Sequence, residues 1–586
     1  MRTTVLICCV AFGLTPLAFI RTGSQRPASA DETHPWVEQT LAQMTLEEKV
    51  GQMIVPGLDA IFTNQAGETF QEIDRNLTRF HVGGYHAFGG DPAALALLLN
   101  RMQQRARIPL LITADLEGGP GYEFRGATRL PRAMALAATR SEELAYQAGK
   151  IAAVEGRALG IGVNFYPVVD VNNNPRNPII NIRSFGEDPA LVARMARAYI
   201  RGAQENGQLA TAKHFPGHGD TRQDSHLELP VIDVGRDRLN QIELPPFRAA
   251  IAAGVAAVMT AHIYLPQLES ETGLPATLSR AVTSDLLRGE LGFEGLIFTD
   301  AMTMQGVAAH FTPEEAAVRA VQAGADMILY PVDVAKTFNA LKRAVETGEI
   351  PLARIEASVR RILQAKARLG LHQNRLVDLN QLDALVGSPE HEALARSIIE
   401  RALTLVRDPK NLLPLTLDPS QRVLLLTILD SRLGWREAPR GLAFARELLR
   451  RHPNTTEVQI DDMTSREAIE ILKKLADASD VVIANGFIRI AAYKGSIALT
   501  QWQLDLLSYL AQLEKPVVFT LFGSPYLLSF VPDLPTYILT YEYYPEAERA
   551  ALRAILGEIP FTGKLPISLP GAYPIGHGLT TPPPPH

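Results

Sequence analysis

The sequence predicts an α/β protein, a (β/α)8 TIM barrel followed by a smaller open α/β sandwich domain. Three observations carry this. Eight short apolar runs alternate with helical patterns between about residues 45 and 370. Polar, chemistry-bearing residues recur directly after those runs, at the edge where barrel enzymes keep their sites. A second, shorter alternation begins near residue 420, and 586 residues are more than one ordinary domain needs. The expected division is a signal peptide over 1–30, a catalytic barrel over 31–370, a connector and helix over 371–405, a sandwich domain over 406–579 and a proline-rich tail over 580–586.

The N-terminus carries Arg2, an apolar run over 5–20 broken by Pro16, and Ala28-Ser29-Ala30 ahead of Asp31-Glu32. This is the pattern of a secretory signal peptide cut after Ala30, which implies export to the periplasm or the exterior. The rival is an uncleaved membrane anchor, for which the run is shorter than the ~20 residues a spanning helix needs. Both cysteines, Cys8 and Cys9, lie in this run. A chain starting at Asp31 has no cysteine, hence no disulfide and no thiolate site.

The barrel strands are expected at 51–55, 82–87, 110–114, 162–171, 209–213, 256–261, 295–299 and 326–330, with helices at 92–105, 141–159, 189–206, 236–253, 313–323 and 334–347. Several of these helices have a Pro or Asp at the start and a Gly at the end. A helix over 355–369 leads to a polar connector over 370–385 and a helix over 389–404. Strands then follow at 423–428, 457–460, 481–484, 517–521 and 537–540, with helices at 465–476 and 499–513 between them. Five apolar strands with crossovers make a small open sheet, and 563–570 reads as an extended closing piece. The second domain has no glycine-rich phosphate loop, so it is not a nucleotide domain.

Composition narrows the partner. A net charge of −6 and a pI near 6.2 provide no attraction for nucleic acid or an acidic membrane. The chemistry gathers in 213–226, where Lys213 and His214 leave a strand and Pro216, Gly217 and Gly219 open a loop that ends in Asp224 and His226. Asp300 follows the apolar strand 295–299, where a carboxylate can attack an anomeric carbon. Its alternative is an N-cap for 301–304. No second carboxylic acid stands out as proton donor. His226, oriented by Asp224, can protonate a leaving oxygen as imidazolium and activate water as imidazole. Lys213, His214, Arg183 and Asp115 suit charge-assisted bonds to sugar hydroxyls, Arg183 having the alternative of a loop-stapling ion pair. Glu117 and Asp170 also follow strands, and for them a functional role and that of a turn former or helix cap are equally open.

A metal site is the rival reading of the loop, since His214, His218, Asp220, Asp224 and His226 are all potential ligands. His214 and His218 are four apart, but Pro216 and Gly217 between them preclude the helix that would align them.

Lys213-His214-Phe215-Pro216-Gly217-His218-Gly219 with Asp224-Ser225-His226 resembles the loop of the β-N-acetylglucosaminidases of glycoside hydrolase family 3. Ala114-Asp115-Leu116-Glu117-Gly118-Gly119, the run 162–171, Arg183-Ser184-Phe185-Gly186 and Phe298-Thr299-Asp300-Ala301-Met302 resemble other motifs of that family. The resemblance spans about residues 38 to 370 and, more loosely, the second domain through Leu565-Pro566 and 573–578. It implies that Asp300 is the nucleophile, His226 the acid/base and Asp224 its partner, with Asp115, Arg183, Lys213 and His214 holding a terminal N-acetylglucosamine. It implies retaining hydrolysis of β-linked N-acetylglucosamine in cell-wall fragments, with no metal and no organic cofactor. The histidine loop sets the chain apart from the family's β-glucosidase branch, in which a glutamate of the C-terminal domain usually serves as acid. One departure is Pro120-Gly121-Tyr122 where many relatives have Arg-Val after Glu-Gly-Gly. Some members with a histidine acid/base transfer the sugar to phosphate, so a phosphorylase is the enzymatic alternative. A silent sugar-binding protein is the non-enzymatic one.

Overall fold

A computed structural model describes residues 34–432, 440–492, 494 and 499–582. The expected signal peptide and the last four residues of the expected tail lie outside them. Strands β1 (Ile54–Val55), β2 (Gly57–Ala60), β3 (Gly84–Gly90), β4 (Leu111–Ala114), β5 (Val163–Asn164), β6 (Leu209–Phe215), β7 (Ala257–Thr260), β8 (Leu296–Phe298) and β9 (Ile328–Leu329) form the barrel. β2 through β8 pair in parallel in chain order. A bridge from Phe298 to Met327 joins β8 to β9, and β9 pairs in parallel with β1, which closes the ring. β1 and β2 are one barrel strand interrupted at Pro56, which has no N–H for the ladder.

Three barrel elements differ from expectation. Residues 51 and 52 belong to the helix Leu46–Gln52, started by a Thr45–Glu48 capping box, so the first strand begins later. The strand expected over 162–171 is regular only at Val163–Asn164. Pro167 cannot donate, and the chain rejoins β6 by a bridge from Val168 to Lys213. The helix expected over 236–253 is two, Arg236–Gln241 and Leu244–Ala252, because Pro245 and Pro246 lack the donors that continuity requires.

Inside the ring, His86 stacks on Phe165 with centroids 5.2 Å apart, and Phe165 meets Phe298 edge to face at 5.0 Å. This aromatic plug makes the upper barrel a packed floor.

The second domain is a six-stranded sheet of β10 (Thr404–Arg407), β11 (Val423–Leu429), β12 (Thr455–Ile460), β13 (Val481–Ile488), β14 (Val517–Gly523) and β15 (Thr536–Leu539), ordered β10-β15-β14-β13-β11-β12. All pairs are parallel except β10 with β15. The edge strand β10 was not expected. The helix Pro389–Ala402 stops two residues short of the expected end, and Thr404, Leu405 and Val406, two of them β-branched, extend along Leu539 and Ile538. The C-terminal segment folds back on this edge, with Gly563 N–H bonded to the Leu403 carbonyl and Leu579 bridged to Leu405. The apolar core of this sheet includes Met134, Ala135, Ala138 and Ile182, all contributed by the barrel half of the chain.

Candidate active site

The barrel's C-terminal face carries a charged network that strand geometry dictates. Lys213 lies on β6 with its side chain only 3% exposed, and its ammonium reaches Asp115 Oδ1 at 2.5 Å and Glu117 Oε1 at 2.8 Å. Arg183 Nε and Nη2 donate to the two Glu117 oxygens at 2.8 Å each, and Nη1 donates to the Ile179 carbonyl at 3.0 Å. His86 Nε2 stands 3.5 Å from Asp115 Oδ2. Burial works against ionising Asp115 and Glu117, but their partners outweigh it and hold both carboxyls below their usual range: the Lys213 ammonium and the His86 imidazole for Asp115, Arg183 and Lys213 for Glu117. Asp115 stays 38% exposed, so this ionised carboxylate presents an edge to the mouth.

Asp170, fully buried, accepts from His214 Nδ1 at 2.7 Å and from the His218 N–H at 2.7 Å. Burial is again outweighed, by His214 and then His218, and its pKa is lowered. Asp170 thereby fixes which nitrogen of His214 carries the proton and leaves Nε2 facing Arg183 Nη2 at 3.4 Å. It is a positioning group, on the functional side of the two readings its sequence context left open.

The histidine loop is held by its neighbours. Asn177 Nδ2 donates to the His218 and Gly219 carbonyls at 2.9 Å each, and Asn174 Nδ2 to those of Asp220 and Thr221 at 3.3 Å. Gly219 is required here, because a Cβ would lie 1.7 Å from the Val171 carbonyl oxygen. At the far end, Asp224 Oδ1 accepts from His226 Nδ1 at 2.7 Å, with the Asp224 side chain fully buried and His226 21% exposed. Nδ1 then carries the proton, and Nε2 is the nitrogen for proton exchange.

Asp300 follows β8 and is not an N-cap, since 301–304 are not helical. Its Oδ1 accepts from the Ala301 N–H at 2.7 Å. Burial would raise its pKa, but the imidazoles of His214, His262 and His226 and that N–H lower it, so it is a carboxylate at neutral pH. His262 Nε2 meets the Ala301 carbonyl at 3.0 Å and Nδ1 meets Thr277 Oγ1 at 2.9 Å, which braces the peptide after Asp300. The segments that carry His226 and Asp300 also touch: the Gly306 N–H donates to the Ser225 carbonyl at 3.2 Å.

Of the expected residues, Asp115, Arg183, Lys213 and His214 form one contiguous network, Asp224 pairs with His226, and Asp300 lies in the field of His214 and His226. Arg183 is both things the sequence allowed, a staple on Glu117 and part of the network. The five candidate metal ligands have separate occupations: His214 on Asp170, His218 on Thr221 and Ser225, Asp220 on Arg238, and Asp224 on His226. His86 had not been singled out, because within the run 82–87 a histidine in a strand gives no signal of its own. Glu117 had one, the Gly118-Gly119 pair that lets the chain turn beside it.

A carboxylate and an aspartate-bound histidine beside a bed of charged hydrogen-bonding groups, at the C-terminal mouth of a closed barrel, have the chemistry that a glycoside hydrolase uses. The sequence matches the glycosyl hydrolase family 3 N-terminal domain over residues 45–365, and the chain belongs to that family. It is similar to a β-N-acetylglucosaminidase/β-glucosidase of Cellulomonas fimi, with 33% identity over 560 residues, 92% of this chain and 96% of the relative. In fold it resembles a family 3 β-N-acetylglucosaminidase from Paenibacillus, with a TM-score of 0.80 at 36% identity, over 90% of this chain and 99% of that one. It also resembles a β-glucoside phosphorylase bound to a fluorinated glucose, with a TM-score of 0.81 at 29% identity, over 92% and 96% of the two chains.

Proposed function

We propose that this protein is a retaining exo-β-N-acetylglucosaminidase that releases terminal non-reducing N-acetylglucosamine from cell-wall (peptidoglycan) fragments. Asp300 attacks the anomeric carbon and forms a glycosyl ester as the bond to the leaving oxygen breaks. His226, as imidazolium, gives the leaving oxygen its proton. As imidazole it then takes a proton from water, which displaces Asp300 and restores the carboxylate. Asp224 keeps Nδ1 protonated and stabilises the imidazolium. Asp115, Lys213, Arg183 and His214 hold the sugar.

The observation that carries this reading is the His226–Asp224 bond on a loop tied to the Asp300 segment, which supplies an acid/base without a second carboxylic acid. The family membership and the N-acetylglucosaminidase names of the relatives support the sugar. The test is release of p-nitrophenol from its β-N-acetylglucosaminide and its β-glucoside, with Asp300→Ala as control. Release from neither by folded protein overturns the reading in favour of a sugar-binding protein.

Phosphate is the second reading of the acceptor, favoured by the likeness to a phosphorylase and by an imidazole, which repels an anion less than a carboxylate would. Formation of sugar 1-phosphate when phosphate is added distinguishes it from water.

Export with cleavage after Ala30 belongs to the same proposal, because cell-wall fragments lie outside the cytoplasmic membrane. Among the described residues, no helix is long and apolar enough to cross a membrane. A secreted chain whose N-terminus is Asp31 supports export, and retention of Met1 in a membrane fraction overturns the cleavage.

A further inference from the structure

Arg183 stands on a 3-10 turn of three residues, Asn181–Arg183, too short to hold its own shape. Its supports come from both domains. Ile182, fully buried, belongs to the apolar core of the second domain. Asn181 has φ +42°, in the left-handed region that an L-residue adopts only under restraint. Three bonds supply the restraint: its N–H donates to Asn172 Oδ1 at 2.9 Å, and its Nδ2 donates to Ser524 Oγ at 3.1 Å and to the Asn177 carbonyl at 3.4 Å. Asn172 is itself fixed by donating from Nδ2 to the Tyr526 hydroxyl at 2.8 Å. Ser524 and Tyr526 are buried and follow β14 of the second domain.

We propose that Tyr526 and Ser524 are positioning residues for sugar binding, acting through Asn172 and Asn181 on the turn that delivers Arg183 to Glu117. The second domain therefore buttresses the sugar subsite from behind. This deepens the reading in which Arg183 and Glu117 belong to that subsite, and it rests on it. The chain of contacts is continuous: Tyr526 and Ser524 to the two asparagines, the asparagines to the turn, Arg183 bidentate to Glu117, Glu117 to Lys213, and Lys213 to Asp115. A bidentate guanidinium–carboxylate pair tolerates little displacement. A turn freed on its second-domain side releases Glu117 and Lys213 from their places.

The test is a double-mutant cycle in the full chain, read as KM and kcat on p-nitrophenyl β-N-acetylglucosaminide and as thermal midpoint. Tyr526→Phe removes one acceptor with no change of shape, and Ser524→Ala is the second variant should the first fold poorly. Each is expected to raise KM about five- to tenfold with kcat within about twofold. Arg183→Lys raises KM more, and adding Tyr526→Phe to it changes nothing further. A lowered thermal midpoint with unchanged KM makes both residues mere domain glue and overturns the proposal. Additive effects of Tyr526→Phe and Arg183→Lys place the action of Tyr526 elsewhere and overturn it too. An Arg183→Lys enzyme with unaltered KM instead removes Arg183 from the sugar subsite, and the proposal falls with that reading.

Discussion

The same oxygen of Asp224 receives both the Nδ1 of His226, at 2.7 Å, and the His226 backbone N–H, at 3.0 Å. The residue that orients the imidazole thus also anchors the main chain that carries it. Asp224→Asn keeps the volume but offers an NH2 or a weaker acceptor to Nδ1. Turnover of a poor leaving group is expected to fall about 10²–10⁴-fold, and that of p-nitrophenolate, which needs little protonation, by much less. Equal losses on the two substrates count against an acid role for His226.

Asp300→Ala removes the only bonding partner proposed for the anomeric carbon. Turnover is expected to drop by at least about 10⁴-fold with the thermal midpoint little changed. A variant that unfolds at the wild-type assay temperature assigns Asp300 to structure.

Lys213→Met leaves two carboxylates without their shared cation. Removing one partner of a buried ion pair costs about 3–5 kcal/mol, and with Arg183 still on Glu117 the loss is expected at the lower end of that range. Chemical denaturation measures it. The loss should shrink in Lys213→Met/Asp115→Asn, which removes an uncompensated charge, and an equal loss in both shows that Asp115 was not balanced by Lys213.

Burial pushes the His218 imidazole down to about 4, its Nδ1 and Nε2 being taken by Thr221 and Ser225 hydroxyls. The unfolded chain binds a proton there near pH 6.5 and the folded chain does not. Stability is therefore expected to fall as pH drops from about 6.5 towards 4, by at most about 3 kcal/mol from this residue. Asp170, Asp300, Asp115 and Glu117 have lowered pKa values, so their contributions persist above the ordinary carboxylate range and are lost only as pH falls through the folded values. Denaturant midpoints between pH 4 and 7 for wild type and His218→Gln check this, the variant showing a shallower slope between 6.5 and 4 while the buried His262, also lowered by burial, keeps its own share.

Much of the site was legible because its residues directly follow strands. An apolar run ending in Asp300, or in Lys213-His214, marks the strand and its mouth together. Partnerships across elements were not legible. Nothing in 162–171 tells that Asp170 turns to His214 and the His218 N–H, since that needs β6 beside it and the ladder broken at Pro167. β10 was hidden for a similar reason: Thr404–Arg407 is four residues long, and its strand character comes from Thr536–Leu539, more than a hundred positions away. The double role of Arg183 depends on Glu117, 66 positions earlier, and on a domain whose first central strand begins at Val423.

A Cβ on Gly306 would sit 3.1 Å from the His262 Cβ and 3.2 Å from the Ser225 carbonyl oxygen. The segment after Asp300 and the loop that carries His226 are thus separated by less than a methyl group, and neither can be rebuilt alone. For anyone redesigning this enzyme, residues 224–226 and 300–306 are one mechanical part with a fixed clearance.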